Sequence, residues 1–78
     1  MTQAQDIAGW IQAGLPEAQI QVKGDDGAHF EAVVVCAEFS GLNTVARHRK
    51  VYAALGPRMG REIHALALKT LTPEEASA

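Results

Sequence analysis

Cysteine is nearly absent from this chain: Cys36 stands alone among 78 residues. A lone thiol excludes an internal disulfide and suits a reducing compartment. Long apolar runs are missing as well, and nothing approaches the roughly 18 residues needed to span a bilayer. The first residues, Met1-Thr2-Gln3-Ala4-Gln5-Asp6, lack the basic start and apolar stretch of a secretion signal. The expectation is a cytoplasmic domain of bacterial type with no membrane partner. There are no internal repeats, low-complexity tracts or linkers, so residues 1–78 read as one domain. A chain this short buries only about 60% of the surface its unfolded form exposes, which favours binding surfaces over deep pockets. No Ser/His/Asp set, no pair of carboxylates suited to a cleft and no phosphate-binding glycine loop is present, which argues against an enzyme. Asp25 and Asp26 are adjacent, but in a turn, where solvated side chains are the ordinary reading.

Acid is scarce in one place only. The net charge is −2, yet residues 39–61 hold Arg47, Arg49, Lys50, Arg58 and Arg61 with no Asp or Glu. Residues 1–38 carry one base, Lys23, against six acids. The middle of the chain is a cationic patch on an acidic background. Such a patch can meet phosphate, glutathione carboxylates or an acidic protein face. The plainer alternative is a solvated helix face.

Periodicity sets out the elements. Ile7, Trp10, Ile11 and Leu15 recur at helical spacing, predicting a helix from about Gln3 to Leu15, with Thr2 and Gln5 as a capping box and Pro16 as the stop. Ala18, Ile20 and Val22 alternate with polar residues as in a strand with one wet face. Gly24-Asp25-Asp26-Gly27 is turn chemistry for a hairpin. The return strand, about Ala28 to Cys36, is apolar on both sides and reads as central. A second helix is predicted from Asn43 or Thr44 to Leu55, a short turn opened by Pro57, a last strand from about Glu62 to Lys69, and a terminal helix capped at Thr72-Pro73-Glu74-Glu75. Two helices between the second and third strands allow those strands to be parallel. The predicted fold class is α+β, in the order α-β-β-α-α-β with a terminal α, a mixed three-stranded sheet with helices packed against it. Which face of the last strand turns inward stays open, because Ile63, Ala65 and Ala67 oppose His64, Leu66 and Leu68 and neither set is plainly polar.

Chemistry-bearing side chains are few. His64 sits in the apolar run Ile63-His64-Ala65-Leu66-Ala67-Leu68, and alone it is either a half-buried imidazole bonded to backbone or part of a site completed by another molecule. His29 opens the second strand. His48 lies in the stripe Thr44, His48, Val51 and Leu55 and reads as packed. Cys36 reads as a small core side chain. It lies roughly 23 Å along an extended strand from His29, too far to share one metal centre with it.

Phe39-x-Gly41 with Leu42-Asn43, then Val45-x-Arg47-His48-Arg49-x-Val51-Tyr52, then Ile63-His64-Ala65-Leu66, then Thr72-Pro73 resemble the BolA family, in order and at matching separations over nearly the whole chain. The short first-hairpin loop looks like the compact YrbA-type bacterial branch. The resemblance implies a fold similar to class II KH domains. It also implies heterodimers with monothiol glutaredoxins, bridged by a [2Fe-2S] cluster held together with glutathione, in cluster assembly, trafficking or iron and redox sensing. The family's cluster ligand on the last strand maps onto His64. A second ligand, Cys or His, comes in the family from the first hairpin loop, and His29 is the nearest candidate here. A Trp that often follows the Thr-Pro-x-Glu motif is replaced by Ala76. On this reading the isolated chain is a monomer without iron. Arg47, Arg49, Lys50, Arg58 and Arg61 are the candidate seat for the partner or for glutathione. The alternative is a DNA-binding transcriptional regulator. Against it, KH recognition uses a GxxG loop, whereas Gly56-Pro57-Arg58-Met59-Gly60 is one residue too long and Pro57 removes a donor.

Overall fold

The computed structural model describes all residues, 1–78. The elements follow the expected order: α1 (Ala4–Gly14), β1 (Gln19–Lys23), β2 (His29–Val35), a 3-10 turn (Ala37–Phe39), α2 (Thr44–Leu55), a second 3-10 turn (Gly56–Arg58), β3 (Ala65–Leu71) and α3 (Pro73–Ser77). The sheet order is β1-β2-β3, with β1 antiparallel and β3 parallel to the central β2. The predicted α+β class with a mixed sheet is the fold observed.

Alternation decides the faces. Phe30, Ala32 and Val34 of β2 are buried against the helices, together with Ile7 and Ile11 of α1 and Val51 and Leu55 of α2. Ile20 and Val22 pack at the margin of this core, as do Leu66 and Leu68. Cys36 is buried there too, in the role expected of it. The opposite face carries no helix across most of its area. Its cross-strand rows are Gln21–Val33–Lys69 and Lys23–Glu31–Ala67, ending with His29 beside Ala65.

Two boundaries differ from the periodicity. The N-cap of α1 is Gln3, whose backbone N–H donates to Asp6 Oδ2 at 2.9 Å, so the box lies one residue later than Thr2 and Gln5. β3 begins at Ala65 rather than Glu62. Residues 58–63 are used by a tight turn, in which Ile63 N–H donates to the Arg58 carbonyl at 3.0 Å and Gly60 N–H to the Ile63 carbonyl at 2.7 Å. Ile63 is fully buried while Leu66 and Leu68 face the core, so strict alternation fails between them. The backbone bends at His64, and that bend settles the facing of the last strand.

Helix ends are satisfied locally. Asn43 Oδ1 accepts from the Ala46 N–H at 2.9 Å and starts α2. Thr72 Oγ1 accepts from the Glu75 N–H at 3.2 Å while Glu75 Oε1 accepts from the Thr72 N–H at 2.8 Å, a reciprocal box on α3. Arg47 joins three elements: its Nε donates to the Leu42 carbonyl at 2.9 Å, and Nη1 donates to the Thr70 carbonyl at 3.3 Å and to Glu75 Oε1 at 2.7 Å.

Candidate functional site: two imidazoles at one corner of the sheet

Parallel pairing of β2 and β3 aligns their starting ends. His29 is the first residue of β2 and lies opposite Ala65, the first of β3. The Ala65 N–H donates to the Ala28 carbonyl at 3.1 Å, so the segment carrying His64 is bonded to the segment carrying His29. Two residues 35 positions apart in sequence thus flank the same corner, and both are exposed. His64 owes its exposure to the bend, because Ile63 before it and Leu66 after it both turn towards the core. The sequence placed His64 within a strand; it stands just ahead of one.

The loop at 24–28 shapes the other half. Gly24 has φ 152°, and a Cβ there would sit 2.6 Å from the His29 carbonyl oxygen and 2.6 Å from the Phe30 ring, so only glycine lets the chain cross that strand end. Asp26 Oδ1 accepts from the N–H groups of Ala28 and His29, both at 2.9 Å. Its Oδ2 stands 2.9 Å from His29 Nδ1. These contacts, with the His29 backbone N–H foremost, then that of Ala28, then the imidazole, hold the Asp26 carboxyl far below the usual carboxylate range. Asp26 is solvated, as expected of a turn residue, and it also meets the neighbouring imidazole. The signal in the sequence was an Asp three residues before a His in a glycine-bounded turn. A shallow depression on the open face begins here, lined by Lys23, Asp26, His29, Glu31, Ala65 and Ala67.

The candidate donors near this corner are the imidazoles of His29 and His64. No group of three or more His, Cys, Asp or Glu side chains gathers anywhere as a metal site. Cys36 is buried on the helix side of the sheet, away from the corner. His48 is half-buried on α2, edge-on to Tyr52 with ring centroids 6.4 Å apart, and takes no part.

Three of the five candidate cations are paired with acids of the chain. The Arg47 guanidinium forms a bidentate pair with Glu75 and caps two carbonyls, which removes it from the anion-binding set. Lys50 stands 3.6 Å from Glu38. Arg58 lies 4.5 Å over the Trp10 ring and 3.8 Å from Glu62. Arg49 and Arg61 are exposed and have no ion-pair partner in the chain. Acids from outside residues 39–61 fold back onto the run, which a linear charge count does not register.

The BolA-like protein family profile matches residues 13–75. The DNA-binding transcriptional regulator BolA of Haemophilus influenzae is 43% identical over 51 residues, covering 65% of this chain and 50% of that protein. BolA-like protein 1 of Homo sapiens is 45% identical over 47 residues, covering 60% of this chain and 34% of that protein. The chain therefore spans between about a third and a half of these curated relatives. Among solved structures, a bolA protein homologue from Coxiella burnetii is 49% identical with a TM-score of 0.91, covering all of both chains. Yeast Fra2 is 31% identical with a TM-score of 0.76, covering 97% of this chain and 85% of that one. With its profile match, its relatives and its architecture in agreement, the chain belongs to the BolA-like family.

Proposed function

We propose that the chain is a non-enzymatic partner of a monothiol glutaredoxin, contributing His64, with His29 as second donor, to a [2Fe-2S] cluster shared between the two proteins and glutathione. The observation that carries this reading is the corner itself: parallel pairing puts exposed His29 beside Ala65, the residue that follows exposed His64, and the chain gathers no set of three donors. Such a cluster takes four ligands, most often thiolates, with imidazole as the known substitute. Two imidazoles make a half-site, and the partner's Cys and a glutathione thiol would complete it. The cluster is then cargo held between two molecules. Imidazole in place of thiolate makes it less negative and its bond sensitive to protons, since only neutral His binds metal. That suits sensing or transfer better than storage, in a cytoplasmic setting.

The test is anaerobic co-purification with a monothiol glutaredoxin, reading visible absorbance and iron content. His64→Ala is expected to abolish the mixed-ligand spectrum. An unchanged spectrum would remove the proposal, as would stoichiometric iron retained by the isolated chain after dialysis.

The second reading is DNA binding, favoured by the regulator name of the Haemophilus influenzae relative. Two observations weigh against it here. Gly56–Arg58 forms a 3-10 turn opened by Pro57 rather than a GxxG clamp, and three of the five cations are already paired with acids of the chain.

A further inference from the structure

Asp26 uses its two oxygens differently. Oδ1 closes the loop by accepting from the backbone of Ala28 and His29, whereas Oδ2 meets the His29 ring at Nδ1, 2.9 Å away. An ionised carboxylate can only accept, so the hydrogen of that contact belongs to Nδ1. In a neutral ring the lone pair then sits on Nε2. Free imidazole side chains in water favour the opposite tautomer, with the hydrogen on Nε2, which would block donation from that atom. The His29 side chain is 77% exposed, so its outer nitrogen is open to an approaching molecule.

We infer that Asp26 is the positioning residue of this corner: by accepting from Nδ1–H it holds neutral His29 with Nε2 unprotonated, as the donor presented to a metal centre brought by a partner. A carboxylate behind a ligating imidazole fixes tautomer and ring orientation and raises donor strength. The inference rests on the half-site reading above, and it adds a residue whose contribution is made through His29 alone. Backbone capping by itself would need only Oδ1; the second oxygen is what a cap leaves unexplained.

Asp26→Asn separates the two roles. The amide oxygen can keep both backbone contacts, while the amide nitrogen replaces Oδ2 with a donor facing Nδ1. The hydrogen on the ring must then move to Nε2. In the free full-length chain, 15N NMR of the ring nitrogens at a pH where the ring is neutral is expected to show Nδ1–H in the wild type and Nε2–H in D26N. In the anaerobic complex with a monothiol glutaredoxin and glutathione, D26N is expected to weaken cluster retention roughly 10- to 100-fold, towards the level of His29→Ala. Wild-type His29 found as the Nε2–H tautomer overturns the inference, whatever the variant's loop does. So does an inverted tautomer in D26N with cluster retention unchanged. If the wild-type complex holds no cluster, it is the partner reading that fails, and the tautomer measured in the free chain separates that outcome from the others.

Discussion

Removing the Arg47 guanidinium takes its donors from the carbonyls of Leu42 and Thr70 and leaves the Glu75 carboxylate with the Thr72 N–H alone. The side chain is 13% exposed, so water replaces it poorly. Arg47→Ala is expected to destabilise the chain by about 2 kcal/mol, the usual scale for a hydrogen-bonded charged group, as read by urea unfolding. A lysine there could not span the fork and should recover little. The same clasp has a pH signature. Arg47 first, then the Thr72 N–H, hold the Glu75 carboxyl at about 2, below its ordinary 4.5. A carboxyl lowered on folding adds stability that is complete above its unfolded value and lost as pH falls through the folded one. Thermal melts from pH 5 down to 2 should therefore show a Tm decline that Glu75→Gln flattens; parallel curves would remove this contact from the account. Arg47 also marks a limit of sequence reading. Its charge is visible in the run from residue 47 to 50, but its acceptors lie 23 and 28 residues away. His64 shows the same limit: its candidacy follows from the family-like motif, whereas its exposure depends on the bend that follows buried Ile63.

Helices and strands were legible wherever one residue type repeats at a fixed period. β1 lies where alternation put it and β2 where the apolar run did, and Asn43, Thr72 and Pro73 fix their helix starts by local chemistry alone. The start of β3 was not legible, because Glu62 to Leu66 looks extended while hydrogen bonds within residues 58–63 fold its beginning into a turn. Ile63 is the pin of that turn. Ile63→Ala is expected to cost about 2–5 kcal/mol, and to lower cluster retention beyond its loss of stability, since His64 is held out by its neighbour's burial. Equal cluster retention in the folded fraction of wild type and variant would separate the bend from the site. The α1–α2 crossing has its own sensitive point. A Cβ on Gly14 would fall 2.5 Å from the Ala54 Cβ, a distance the two helices can relieve only by moving apart. Gly14→Ala should therefore destabilise by about 1–3 kcal/mol despite its better helix propensity, a reversal that thermal unfolding would detect.

Over the whole molecule, the cationic middle segment is partly neutralised by its own chain. Arg47, Lys50 and Arg58 face Glu75, Glu38 and Glu62, leaving Arg49 and Arg61 without such partners. If those two alone met phosphates, log K for duplex DNA against log salt would fall with a slope of about −2, whereas five free cations would give about −4.5. Anisotropy titrations across salt concentrations distinguish the two, and the steeper slope would favour the regulator reading. The topology was readable because a two-helix connection permits parallel pairing; that His29 and His64 belong together came only from the family resemblance, since nothing near His29 mentions residue 65. That pairing carries a further consequence. Loop closure across 35 residues makes β2–β3 association a slow, non-local event, unlike the β1–β2 hairpin. An unfinished chain has both histidines but no corner, so a second protein that engages both of them recognises only molecules that have completed folding.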